Sequence, residues 1–163
     1  QCAVLFEDCA MDHGPMLSAS LYEKYFVPHI KEVVSHAHRH NIKVIFHTDG
    51  KLKMGAENPW AFMDAIVGTG IDAMHGLQYG VNDPAELKER YGQKICLVGG
   101  IGCVDILQNA KKSEVEKEVR RIIEILKEGG GYIASSDNGW HYGVDVGKVK
   151  AYLRAVRKYG GYP

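Results

Sequence analysis

The sequence has no surplus charge of either sign: 20 Lys and Arg stand against 20 Asp and Glu in 163 residues. Without a basic run there is no electrostatic footprint for nucleic acid or an anionic membrane surface. No apolar stretch approaches the roughly 20 residues that a membrane helix needs, and the opening residues lack the pattern of a secretory signal. Cysteine is scarce. The four present are Cys2, Cys9, Cys96 and Cys103, with no CxxC pair among them. In a chain of this size they read as free thiols of a reducing compartment, which predicts a cytoplasmic protein. Proline is limited to 5 residues and no low-complexity tract occurs, which excludes collagen-like and disordered classes. What remains is a globular domain large enough to bury its own core, with 19 glycines for tight turns.

Short apolar runs alternate with longer stretches of helical period. The runs are 2–6, 43–46, 71–74, 95–98 and 131–134. Each is too short for a helix, and together they read as buried strands of a parallel sheet. Residues 113–127 repeat apolar side chains at Val115, Val119, Ile122, Ile123 and Leu126, with Ser113 as the expected N-cap and Gly129–Gly131 as the stop. Pro28 divides 20–40 into a short helix over 20–26 and a second one that starts near the proline. Further helices are predicted over 59–68, 84–91 and 146–159, with a shorter one near 103–109. Five strand–helix repeats with crossover-length connections imply right-handed βαβ units. The pattern suits either a doubly wound sheet or part of a (β/α)₈ barrel.

Polar residues gather where the strands end. The first run leads to Glu7, Asp8 and Cys9, and the second to His47-Thr48-Asp49-Gly50. The third ends at His75, the fourth runs into Gly99-Gly100-Ile101-Gly102-Cys103, and the fifth into Ser135-Ser136-Asp137-Asn138, with Trp140 and His141 beyond. Parallel α/β folds place their sites at this edge. Helix caps and turns account for the Asp, Ser and Gly there, but not for Glu7, His47 and His75. His47 and Asp49, two apart at a strand end, can point the same way and either hold a metal together or act as a base with its orienting partner. A loop-capping aspartate beside a hydrogen-bonded histidine is the structural alternative. Asp8, Asp49 and Asp137 would add three carboxylates at one mouth, able to raise one another's pKa or bind a cation. The Gly99–Gly102 amides could approach an anion. The tract His36-Ala37-His38-Arg39-His40 falls in the last turn of a predicted helix, where it reads as a complement to the helix dipole. Cys2 and Cys96 read as core residues, whereas Cys9 and Cys103 are candidate ligands or reactive thiols.

An ordered set of motifs sharpens this reading. Phe6-Glu7, Gly14-Pro15-Met16, Tyr25-Phe26-Val27-Pro28, Val44 to Gly50, Val98-Gly99-Gly100-Ile101 and Gly131 to Ser136 resemble, in order and spacing, the uroporphyrinogen decarboxylase superfamily. The resemblance implies α/β architecture of the (β/α)₈ TIM-barrel type, here incomplete, with about five C-terminal βα units over 1–163. The abrupt start, Gln1 followed at once by the apolar run, fits a chain cut from something longer. The superfamily includes porphyrinogen decarboxylases and zinc-dependent methyltransferases that take methyl groups from corrinoid proteins. In the decarboxylases a Gly-His-Gly turn follows the last strand, and here Asn138 stands at that histidine. In the methyltransferases zinc is held by His-x-Cys and a later Cys. The matching positions here are His47, Asp49 and Asp137, so one nitrogen remains and two soft thiolates become hard carboxylates.

The resemblance therefore implies methyl transfer between a corrinoid protein and a small acceptor. His47, Asp49 and Asp137 would be the ligands of zinc or another divalent metal. Glu7, Asp8 and Asp49 would be catalytic, and His75, Gly100, Asn138 and His141 would contact substrate. Cofactor-free decarboxylation of a tetrapyrrole is the alternative, and an inactive scaffold a third. Expected partners are a corrinoid protein or a small molecule, with no nucleic acid and no membrane. Strand edges left open by an incomplete barrel would favour a homodimer or aggregation.

Overall fold

The computed structural model describes residues 1–162 of the chain, which divide into two compact units, one over 1–75 and one from 76 onward. In the first unit, β1 (Cys2–Phe6) leads through a small hairpin, β2 (Ala10–Met11) and β3 (Gly14–Pro15), to helices α1 (Ala19–Tyr25) and α2 (Val27–Arg39). β4 (Lys43–His47), α3 (Ala61–Val67) and β5 (Ala73–His75) follow. Strands β1, β4 and β5 lie side by side and parallel. Pro28 sits in the first turn of α2, where its missing N–H costs nothing, and the helix buries Val27, Ile30 and Val34. Tyr22 of α1 stacks on Phe26 and tilts against Phe62 of α3, their ring centroids 5.1 and 4.8 Å apart. Tyr22 and Phe62, with Val44, Phe46, Met63, Ile66 and Met74, form the first unit's core, and Phe26 lies exposed at its edge.

The second unit carries α4 (Pro84–Tyr91), β6 (Cys96–Ile101), a π-helical segment (Cys103–Asn109), α5 (Lys112–Leu126), β7 (Tyr132–Ser136) and α6 (Val146–Tyr159). β6 and β7 pair in parallel, Leu97 opposite Tyr132 through Ile101 opposite Ser136. All five expected α5 residues, Val115 to Leu126, are buried. The start of α5 differs from expectation: Lys111, not Ser113, is the N-cap, and its amide donates to Glu114 Oε2 at 2.8 Å. An acidic side chain three residues on can satisfy the first amide without a capping hydroxyl. Among the described residues no helix is long and apolar enough to cross a membrane.

Strand-by-strand alternation with helices gives the α/β class that the sequence predicts. Burial is where β1 departs from it. Cys2 is exposed rather than core, Val4 is 45% and Phe6 72% exposed. β1 stands at the end of the strand order, so β4 covers only one of its edges.

Candidate functional site

Register builds the site in the first unit. Phe6 lies opposite His47, and His47 opposite His75. In-register parallel strands present such residues on one face. The result is a row of three rings: Phe6 to His47 at 5.0 Å and His47 to His75 at 4.8 Å between centroids. The strand period of two then brings Asp8 and Asp49, each two residues beyond the row, to the same face.

The ligand atoms of Asp8, His47 and Asp49 all lie within 4.8 Å of one another. His47 Nε2 is 3.9 Å from Asp8 Oδ1 and 3.9 Å from Asp49 Oδ1. The other ring nitrogen of His47, Nδ1, is 2.7 Å from Nδ1 of His75. His47 is buried whereas Asp8 is open to water, so the cluster has a dry floor and a wet rim. Burial holds the pKa of His47 below the usual histidine range, against the opposing pull of the Asp8 carboxylate. A neutral imidazole is the form that ligates a metal or accepts a proton.

Two loops carry the carboxylates, and Thr48 ties them together. Its fully buried hydroxyl accepts the Cys9 amide at 3.0 Å and donates to the Asp49 carbonyl at 3.0 Å. The hairpin is stitched to the same loop by Lys51, whose amide donates to Met11 O at 2.8 Å. Glu7 points elsewhere: its Oε2 accepts the Tyr22 hydroxyl at 3.1 Å, toward helix α1. Beside them burial pushes the Cys9 thiol up to about 11, against hydrogen bonds with Thr48 and Tyr22 that pull it down. Cys9 is thus a packed thiol, neither a ready thiolate nor a member of the donor cluster.

The second unit places the other predicted residues. Asp137 is buried, and its two oxygens accept the amides of Cys103 at 2.8 Å and Tyr79 at 3.0 Å. The Cys103 thiol donates to Gly139 O at 3.3 Å, and burial, then the Asp137 charge, raise its pKa. Gly100, with φ +80°, lies under α5, where an added Cβ would stand 3.3 Å from Ile122 and Leu126. It also lines a small cavity with Tyr79, Asn82, Leu87 and Arg121. Asn138 is exposed and its Oδ1 accepts the Gly139 amide at 2.7 Å; exposed His141 accepts the Gly143 amide at 3.1 Å.

The first unit thus gathers Asp8, His47, Asp49 and His75, while Glu7 is engaged by Tyr22. Thr48, Tyr22 and Phe6 had no place in the sequence-level site. Thr48 could have been suspected from its position between His47 and Asp49. Tyr22 left no signal, because a tyrosine in a helical period does not say what its hydroxyl meets.

The donor set fits a divalent cation: one imidazole nitrogen and two carboxylates supply three ligands and a compensating double negative charge. Such a set suits zinc, manganese, cobalt or iron, and lacks the thiolates that would favour zinc over the others.

The family model for uroporphyrinogen decarboxylase (URO-D) matches residues 1–159. Among curated relatives, the uroporphyrinogen decarboxylase of Mannheimia succiniciproducens is 34% identical over 98 residues, covering 60% of this chain and 27% of that protein. The uroporphyrinogen decarboxylase of Shewanella loihica is 26% identical over 148 residues, covering 89% of this chain and 39% of that protein. The chain thus spans between a quarter and two-fifths of the length of these relatives. Among solved structures, a methyltransferase from Methanosarcina mazei superposes with a TM-score of 0.74 at 14% identity, over 98% of this chain and 42% of that one. That likeness supports the partial-barrel fold, five βα units of the (β/α)₈ type. With its sequence matched almost from end to end, the chain belongs to the uroporphyrinogen decarboxylase (URO-D) family.

Proposed function

We propose that this chain is part of a methyltransferase of the URO-D superfamily, which moves a methyl group between a corrinoid protein and a small acceptor held at a divalent cation. The observation that carries the reading is the convergence of Asp8, His47 and Asp49 on one point at the strand ends. His47 would ligate through Nε2, and Asp8 and Asp49 would offset the cation's charge. When bound, such an ion lowers the pKa of a coordinated acceptor and makes it a nucleophile at neutral pH. Phe6 and His75, flanking His47, shape the floor against which the acceptor rests. Glu7, through Tyr22, anchors the loop that carries Asp8. Within the second unit, Asp137 would act as the clamp that orders the loops after β5 and β6.

The test is a titration of the purified chain with Zn²⁺ and Co²⁺, followed by demethylation of methylcobalamin in the presence of small thiols. One equivalent of cation should bind, His47→Ala should abolish that binding, and activity should depend on it. Absence of stoichiometric binding would sink the metal version.

A second reading, decarboxylation of a tetrapyrrole without a cofactor, is favoured by the names of the curated relatives. In that case Asp8 and Asp49 would face the pyrrole nitrogens. Metal-independent turnover of uroporphyrinogen by the chain would establish it over methyl transfer. Failure of both assays with a folded chain would leave the scaffold reading.

A further inference from the structure

We propose that His75 is the positioning residue of this site: it forms with His47 a coupled tautomeric pair that decides whether His47 Nε2 carries a proton or a lone pair. The pairing stands on geometry alone, while its consequence for cation binding rests on the function proposed above.

The two Nδ1 atoms are 2.7 Å apart. With both rings neutral, that gap holds one proton. Two protons would collide, and none would set two lone pairs face to face. The rings must therefore be opposite tautomers. In one arrangement His75 Nδ1 donates, and His47 carries its proton on Nε2, toward Asp8 and Asp49. In the other His47 Nδ1 donates, and its Nε2 presents a lone pair to the same two carboxylates. The first suits the cluster alone, because two negative groups 3.9 Å away favour an N–H there. The second is the form that receives a cation.

Conversion of the first to the second balances. The Nε2 proton of His47 leaves to water past the exposed Asp8. The central proton moves from His75 Nδ1 to His47 Nδ1, and His75 Nε2 takes up a proton from water. Each ring stays neutral and the number of bound protons is unchanged. Register makes the pair a fixture of the fold, since His47 and His75 face each other across β4 and β5, and Thr48 N donates to His75 O at 3.3 Å.

The experiment is nitrogen-15 NMR of the two imidazoles in the whole chain, without metal and through a Zn²⁺ titration, together with Zn²⁺ affinity for His75→Phe and His75→Asn. Asn is the conservative variant because its amide stands near the position of Nδ1 and can donate or accept. The metal-free chain should show opposite tautomers, His47 protonated on Nε2, and both rings should invert on adding Zn²⁺. His75→Phe should weaken Zn²⁺ by about 10- to 100-fold, the range for loss of an outer-shell partner, and His75→Asn should recover most of that. Opposite tautomers in a chain that never binds Zn²⁺ would remove the metal reading and leave the pairing standing. Like tautomers in the two rings, or Zn²⁺ binding to a folded His75→Phe chain as tightly as to wild type, would overturn the proposal.

Discussion

The Cys103 amide donates to Asp137 Oδ1 at 2.8 Å, and the Tyr79 amide donates to the other oxygen of the same carboxylate at 3.0 Å. One buried side chain thus joins the loop after β5 to the start of the π-helical segment. Hydrogen bonds to a charged acceptor each contribute about 1.5–3 kcal/mol, and truncation also orphans the donors. Asp137→Ala should cost about 3 kcal/mol in urea unfolding. Asp145→Ala, which removes the N-cap bond to Lys148 at an exposed helix start, should cost only about 1 kcal/mol. Equal costs would show that Asp137 does not act as a clamp.

Asp72 predicts the acid limb of stability. Burial works to raise its pKa, but Lys43, the Val44 amide and His38 outweigh it and hold the carboxyl at about 2, against 3.8 ordinarily. The folded chain therefore binds fewer protons than the unfolded chain between those values. Stability from this group is complete above pH 4 and is lost as the pH falls toward 2. A shift of this size corresponds to about 2 kcal/mol, reduced by the solvent that reaches Lys43 and His38. Asp72→Asn should flatten the unfolding free energy over that window. An unchanged acid limb would remove Asp72 from the account.

The four cysteines should separate by reactivity. Cys2 is exposed, Cys9 and Cys103 are buried, and burial raises the thiol pKa of Cys9, Cys96 and Cys103. Timed alkylation of the native chain, read by peptide mass spectrometry, should modify Cys2 first and Cys9 last. Rapid modification of Cys9 in the folded chain would contradict its packed environment. Denaturant should make all four equivalent.

How much of this was legible in the sequence differs by element. Helices α4 and α6 match the predicted ranges 84–91 and 146–159, and the structure shows their starts set locally, by Asp83 and Pro84 in one and Asp145 in the other. The strand character of β1 was legible too, but its exposure was not, since an apolar run says nothing about which neighbour covers it. The β2–β3 hairpin left no trace, being two pairs long and without a period. Within the candidate site, His47 and Asp49 are paired by the strand period, which can be read from one strand. Asp8 and His75 join them through register between strands, a non-local property. The turn of Glu7 toward Tyr22 depends on packing that no spacing encodes.

That exposure of β1 has a measurable consequence. Val4 and Phe6 stand open on a strand at the end of the order, with no Pro or charge inside the strand to discourage pairing. The 163-residue chain should self-associate, and Val4→Lys should shift it toward monomer in sedimentation velocity without altering the helical signal. A wild-type chain that stays monomeric with a cooperative melt would show that this edge is not an interaction surface.

Gly50, next to Asp49, should be intolerant of any side chain. Its φ is +88°, and a Cβ there would come within 2.5 Å of the Ala10 carbonyl carbon and 2.7 Å of the Met11 nitrogen. Those are backbone atoms, which cannot swing aside. Gly55 offers the comparison: its φ is +81°, yet a Cβ would meet nothing within 4 Å. Gly55→Ala should therefore cost only the conformational strain, about 1–2 kcal/mol. Gly50→Ala adds the collision, and relieving it pushes the hairpin off the loop that holds Asp49. The expected result is a loss clearly above that of Gly55→Ala in urea unfolding, together with weakened Zn²⁺ binding that Gly55→Ala does not share. Equal losses with cation binding intact in both would show that the hairpin does not position Asp49.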